Sequence, residues 1–214
     1  MLNQQGFNLW ADGYDKTVQL SEESNQYPFA GYKAVLNTIF NEVMQIPKST
    51  VLDIGFGTGV LTAKLYDNGH TINGFDFSSK MIDIAEEKMP DANLMEWDLS
   101  KGLPTALLHQ KYDAIISTYA LHHFTDEMKV QYIKELLLHL TPEGKIFIGD
   151  IAFNTRADLE KCREESIGYW DDDEFYFVHE EMSSLLKGVC QLEFYPISHC
   201  GGVFVLSNFA LEDA

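Results

Sequence analysis

The chain has 214 residues, 45% hydrophobic and 22% charged, a composition expected of one water-soluble globular domain with a sizeable core. Its formal net charge is −18, and its 15 basic residues are scattered without a run, so a polyphosphate partner would be repelled and nucleic acid is not expected to be a substrate. No apolar run approaches the roughly 18 residues of a membrane span, the N-terminus has neither a basic nor an apolar leader pattern, and Cys162, Cys190 and Cys200 follow no metal or disulfide spacing. A cytoplasmic protein without a metal is therefore expected, and its oligomeric state stays open.

In chain order, Tyr32, Val35, Leu36, Ile39, Phe40 and Val43 recur at helical spacing and predict an amphipathic helix over 32–43. Strand and helix patterns then alternate. Strands are expected at 50–54, 71–76, 92–97, 112–117 and 145–150, and helices at 58–68, 79–88 and 126–140. Such alternation predicts a parallel sheet with helices on both faces. Two helical stretches, 155–166 and 178–187, precede apolar strands at 190–198 and 203–208. Only His199 to Gly202 separates these strands, too few residues for a crossover, so they must form an antiparallel hairpin. The fold class is thus a doubly wound α/β domain with a mostly parallel, seven-stranded sheet. The acidic run Asp171-Asp172-Asp173-Glu174 reads as a solvated turn.

The most informative stretch is 51–59. An apolar strand, Val51 to Ile54, runs into Gly55, Gly57 and Gly59, and a helical pattern follows at once. Glycine permits positive φ and lets a ligand lie against the backbone. The helix start adds unpaired N–H groups and a positive dipole end, which favour an anionic group such as a carboxylate. A tight turn without a ligand is the alternative. The spacing narrows the ligand, because a dinucleotide fingerprint would need its third glycine at Val60 or Thr62. No Lys-Ser/Thr pair follows, as a phosphate-binding loop would require. The pattern Asp53-x-Gly55-x-Gly57-x-Gly59 instead resembles motif I of the class I S-adenosylmethionine-dependent methyltransferases.

The resemblance extends over roughly residues 8–150 and implies a cofactor site. Ligands of open α/β sheets lie beyond the carboxyl ends of the strands. Asp76, ending the second strand, matches the family residue that accepts from the ribose hydroxyls; a helix cap is the alternative, although Ser78 could serve as well. Phe77 and Met81 would flank the adenine or sit in the core. Asp98 resembles the residue that accepts from the adenine amine, with the Leu99 backbone N–H near a ring nitrogen. Thr58 and the loop amides would hold the cofactor carboxylate. Asp53 would order the glycine loop or bind the amino group. The segment starting at Ser117, Ser117-Thr118-Tyr119-Ala120-Leu121-His122-His123-Phe124, matches the family's fourth motif, whose backbone faces the methionine portion. Upstream, Trp10 to Asp15 resembles an Ala-x-x-Tyr-Asp segment that folds over the cofactor, placing Tyr14 near the sulfonium. With Thr125-Asp126-Glu127 included, the run from Ser117 is especially similar to the YrrT methyltransferases.

The implied activity is transfer of the sulfonium methyl group to a small molecule by in-line displacement. Residues 1–45 would form an N-terminal helical lid or cap, with 8–20 closing over the cofactor, and 151–188 an acceptor-side insertion. A base is needed only for a nucleophile protonated at neutral pH. His122 and His123 lie where one could sit, and His122 is the candidate; a turn histidine bonded to backbone is the alternative. Two other readings compete. One is a non-catalytic cofactor-binding module that regulates a partner. The other is a nicotinamide-dependent oxidoreductase, which the glycine spacing and terminal hairpin disfavour.

Overall fold

A computed structural model describes residues 25–210. Its order is α1 (Tyr32–Val43), β1 (Thr50–Ile54), α2 (Val60–Asp67), β2 (Thr71–Asp76), α3 (Ser79–Lys88), β3 (Asn93–Glu96), β4 (Tyr112–Thr118), α4 (Asp126–Leu137), β5 (Leu140–Phe153), α5 (Arg156–Glu165), β6 (Phe177–Val178), α6 (His179–Leu185), β7 (Gln191–Pro196) and β8 (Gly201–Ser207). The sheet runs β3-β2-β1-β4-β5-β8-β7, with β6 paired to β5 off this path. β1 to β5 pair in parallel, and β8 runs antiparallel to both β5 and β7. The strand order reverses between β1 and β4, which opens the ligand crevice of such sheets.

Side-chain alternation divides the core in two. On one face Val51 and Ile72 pack with Val35, Ile39, Leu65 and Ala85 of α1, α2 and α3. On the other, Leu52, Ile54 and Phe75 pack with Ile133, Leu136 and Met182 of α4 and α6. β1 is buried from Val51 through Ile54, as a central parallel strand covered on both faces requires. Asp53 shares that burial, so its carboxylate calls for a chemical explanation.

The structure departs from the sequence expectation at three places. The helix expected over 126–140 stops at Leu137, because the His139 carbonyl accepts the Tyr112 N–H at 2.8 Å and Leu140 joins the sheet. β5 accordingly spans 14 residues rather than 145–150, with a register shift between Tyr112 and Ala114 absorbing the irregular start. β6 is an eighth strand of two residues, too short to show any periodicity in the sequence. Among the described residues no helix is long and apolar enough to cross a membrane.

Candidate active site

The loop leaving β1 adopts positive φ at Gly55, Gly57 and Gly59, and the reasons differ along it. A Cβ on Gly55 would come within 2.8 Å of the Ala120 Cβ, so this glycine lets the ends of β1 and β4 close together. A Cβ on Gly57 would meet nothing within 4 Å. No internal packing demands a glycine there; its bare backbone faces open space. α2 begins at Val60 with no side chain capping it, which leaves its first N–H groups for an external acceptor.

Two carboxylates brace this loop. Asp53, 2% exposed, accepts the Thr62 hydroxyl on Oδ2, while its Oδ1 is buried with no hydrogen-bond partner among the described residues. Burial pushes its carboxyl up to about 7, against the Thr62 hydrogen bond and with a smaller push from Asp76. An orphaned buried acceptor beside a bare glycine loop is a socket for a donor such as an ammonium group. Asp76 accepts the Gly57 N–H on Oδ2 and the Ser78 N–H on Oδ1, both at 2.9 Å. Burial raises it to about 6, and the backbone amides hold it down. The helix-cap alternative for Asp76 gives way, because Ser78 Oγ takes the Met81 N–H at 3.3 Å and caps α3. The Phe77 amide adds a third backbone hydrogen bond, which leaves the Asp76 carboxylate acceptor capacity for one further donor.

The remaining expected residues fall as follows. Thr58 is buried in the loop, and its carbonyl accepts Lys88 Nζ at 2.7 Å. Phe77 is half-buried, whereas Met81 is core. Asp98 spends Oδ1 on the Ser100 N–H at 2.9 Å and starts a single 3₁₀ turn, Leu99–Lys101. Burial alone would raise its carboxyl, but the Ser100 bonds and Lys101 hold it below the ordinary value. Ser117 is buried with its hydroxyl on the Ile54 carbonyl at 3.0 Å, tying β4 to β1. Tyr14 and the lid expected over 8–20 lie outside the described residues.

Beyond β4 the chain builds a second, acidic pole. His122 is buried, with Nδ1 at 2.6 Å from Asp150 Oδ1 and Nε2 at 3.5 Å from Glu174 Oε1. Asp150, fully buried near the end of β5, also takes the N–H groups of Leu121 and Ile151 at 3.2 and 2.8 Å. Burial alone would push the His122 imidazole down, yet the Asp150 and Glu174 carboxylates outweigh it and hold it above its usual value. His123, by contrast, is pushed down to about 4 by burial and by its neighbour. Glu174 is raised by burial, with His122 and a 2.8 Å hydrogen bond from Tyr176 opposing.

The acidic run is therefore only partly the solvated turn expected: Asp171, Asp172 and Asp173 are exposed, but Glu174 turns inward. The turn is held by Phe175, whose N–H donates to the His122 carbonyl at 2.7 Å and whose carbonyl accepts buried Lys129. Donor atoms of His122, His123 and Glu174 lie within 4.8 Å of one another. Sequence alone singles out neither Asp150 nor Glu174: for Asp150 the available signal is an acid at the end of the strand expected over 145–150, whereas the histidines that Glu174 meets are about 50 positions away.

Known proteins resemble this chain in sequence and in fold. A family model described as a methyltransferase domain matches residues 51–144. An uncharacterized methyltransferase of Geobacillus sp. strain WCH70 is 35% identical over 189 residues, which cover 85% of each chain. Another, from Oceanobacillus iheyensis, is 33% identical over 191 residues, 89% of this chain and 81% of that one. The solved complex of DhpI with SAH superposes with a TM-score of 0.72 at 15% identity, over 96% of this chain and 94% of that chain. Magnesium protoporphyrin IX methyltransferase from Synechocystis, also with SAH, gives 0.65 at 17% identity and 84% coverage of both. With the bare glycine loop, the orphaned Asp53 oxygen and this strand order, the chain belongs to the class I S-adenosylmethionine-dependent methyltransferases.

Proposed function

We propose that the protein transfers the methyl group of S-adenosylmethionine to a small-molecule acceptor by in-line displacement. The observation that carries this reading is the pairing of two poles at the carboxyl ends of the strands: the glycine cradle after β1 and the His122–Asp150 pair after β4 and β5. When bound, the cofactor supplies an electrophilic sulfonium methyl group. The residues present fit it. The Gly57 surface and the uncapped start of α2 suit its carboxylate, Asp53 its ammonium group and Asp76 its ribose. Phe77 and Leu99, both half-buried, would line the adenine, with Asp98 at the loop after β3 accepting from its amine. Tyr14 and the lid belong to this reading as well.

His122 serves as the base. Asp150 fixes the proton of the neutral ring on Nδ1 and leaves Nε2 to accept one from the acceptor. The imidazolium so formed is stabilised by Asp150 and Glu174. Alignment of the acceptor with the methyl group and exclusion of water can lower such a barrier by about 7–11 kcal/mol. The −18 charge supports a small acceptor rather than a nucleic acid.

Thermal melting with adenosylhomocysteine tests the cofactor site. At one hundred times its dissociation constant the ligand should stabilise the fold by about 2.7 kcal/mol, which for this size is a shift of about 5–11 °C. A shift with a nicotinamide dinucleotide and none with adenosylhomocysteine would overturn the proposal.

A further inference from the structure

We infer that the acidic pole around Glu174 is the binding site for the acceptor, and that the acceptor is an amine carried in as its ammonium ion. This deepens the proposed function and rests on it for the methyl transfer, though not for the binding.

The site is built rather than incidental. Glu174 is drawn inward from an exposed acidic turn, at the desolvation penalty that burial of a carboxylate imposes. Its Oε2 is fixed by the Tyr176 hydroxyl, which is itself hydrogen-bonded to the Tyr27 hydroxyl. Phe175 holds the backbone on both sides. The Oε1 atom is aimed at the His122 and His123 rings, 3.5 and 3.9 Å from their nitrogens. Asp150 lies behind His122, and exposed Asp171 acts electrostatically on Glu174. Against these three carboxylates the facing basic groups are His122 and His123, with Lys129 already committed to Asp126 at 2.9 Å. Glu174 Oε1 meets the two imidazoles only at 3.5 and 3.9 Å, longer than a charge-assisted hydrogen bond, so it retains capacity for a cationic donor.

An organic cation is favoured over a metal ion by what surrounds the carboxylate. Trp170 stacks on Tyr27 at 5.0 Å and meets Tyr176 edge-on at 4.8 Å, so an aromatic wall continues from Glu174. The same N-terminal stretch carries Phe29 and Tyr32, whose rings lie 5.3 and 5.2 Å from Tyr119 at the edge of the cofactor cleft. Aromatic faces attract an alkylammonium ion and accommodate its hydrocarbon part. A bare metal ion would gain nothing from that wall.

The chemistry closes with the residues present. The ammonium ion pairs with Glu174 and gives one proton to His122 Nε2. The freed nitrogen lone pair forms the new N–C bond as the S–C bond breaks, and that bond's electron pair stays on sulfur. The imidazolium proton then leaves to solvent. His122, His123, Tyr27 and Tyr176 face Glu174 from three segments, so only His122 is both paired to a carboxylate and able to take the proton near neutral pH.

The test uses n-propylamine, with n-propanol and propionate as near-isosteric probes, titrated with and without saturating adenosylhomocysteine and followed by the Trp170 indole N–H resonance. Propylammonium should bind saturably and at least about ten-fold tighter than propanol, the ratio a charge-assisted contact provides. Glu174→Gln, measured well below its own melting temperature, should abolish that preference while leaving adenosylhomocysteine affinity unchanged. Equal binding of amine and alcohol, or a preference that survives Glu174→Gln, overturns the inference. So does one-to-one binding of Zn²⁺ or Mn²⁺ that expels propylammonium, which would make the cluster a metal site. If the amine binds through Glu174 but adenosylhomocysteine does not bind at all, the cofactor reading fails and the ammonium site stands.

Discussion

Asp150 Oδ1 lies 2.6 Å from His122 Nδ1, and the two residues come from neighbouring strand ends 28 positions apart. The carboxylate is fully buried and also takes the Leu121 and Ile151 amides, so it is held rigid. A rigid acidic partner on Nδ1 fixes which imidazole nitrogen is free, and makes the charged ring easier to form.

The first prediction concerns the pH–rate profile. His122 must be neutral to accept a proton, and its carboxylate partners hold its pKa above the usual 6.5. Activity should therefore rise with pH along a limb centred above that value. Asp150→Asn removes the larger of the two charges, so the limb should move to lower pH while kcat falls by about 100-fold or more. Turnover measured from pH 5.5 to 9 decides it. A limb that does not move on Asp150→Asn removes His122 from the role.

Asp53 sets a second prediction, in stability. Its folded pKa is raised from 3.8 to about 7. A raised carboxylate means that the folded state binds the extra proton, so its favourable contribution is complete below pH 3.8 and is lost as pH rises to about 7. Above that window the fold carries a buried charge. Asp53→Asn should then stabilise the protein at pH 8, by on the order of 1–4 kcal/mol, with the difference shrinking towards pH 4. Urea denaturation at the two pH values measures this. Adenosylmethionine affinity should fall in the same variant.

Gly55 and Gly57 should separate packing from binding. Gly55→Ala drives a methyl group to 2.8 Å from Ala120 and adds left-handed strain, so it should destabilise the fold by about 2–4 kcal/mol. Gly57→Ala meets open space and should lose only the strain, about 1–2 kcal/mol. Yet Gly57→Ala should weaken adenosylhomocysteine binding at least as much as Gly55→Ala does. Melting and calorimetry on the same two variants make the comparison; a Gly57→Ala protein with wild-type affinity would remove the loop surface from the cofactor site.

For Asp76 the structure adds a fold term to a binding term. Asp76→Ala strands the Gly57 and Ser78 amides and should cost about 1–3 kcal/mol of stability. Cofactor affinity in the folded variant should drop by about 10–100-fold through the lost ribose acceptor and the slackened loop. Calorimetry at a temperature well below the new melting point keeps the two effects apart.

The order of elements, the parallel sheet, the terminal hairpin and the glycine cradle were all legible in the sequence. Each is encoded locally: apolar periodicity marks strands and helices, and glycine takes positive φ at positions 55, 57 and 59 without the strain a Cβ would add. The positions of Asp53 and Asp76 at the carboxyl ends of their strands were legible for the same reason, since periodicity marks those strands; their cofactor roles are part of the proposal. What tertiary structure alone decided is how the polar groups are spent. The Ser117 hydroxyl ties β4 to β1, and Asp98 Oδ1 begins a turn. The acidic pole is the clearest case. Glu174 sits in a run of four acids that local chemistry reads as solvated, and only packing against His122, Tyr176 and the Lys129-bound Phe175 carbonyl turns it inward. Burial of a charge depends on partners distant in sequence, and a one-dimensional pattern carries no information about which distant residues will meet it.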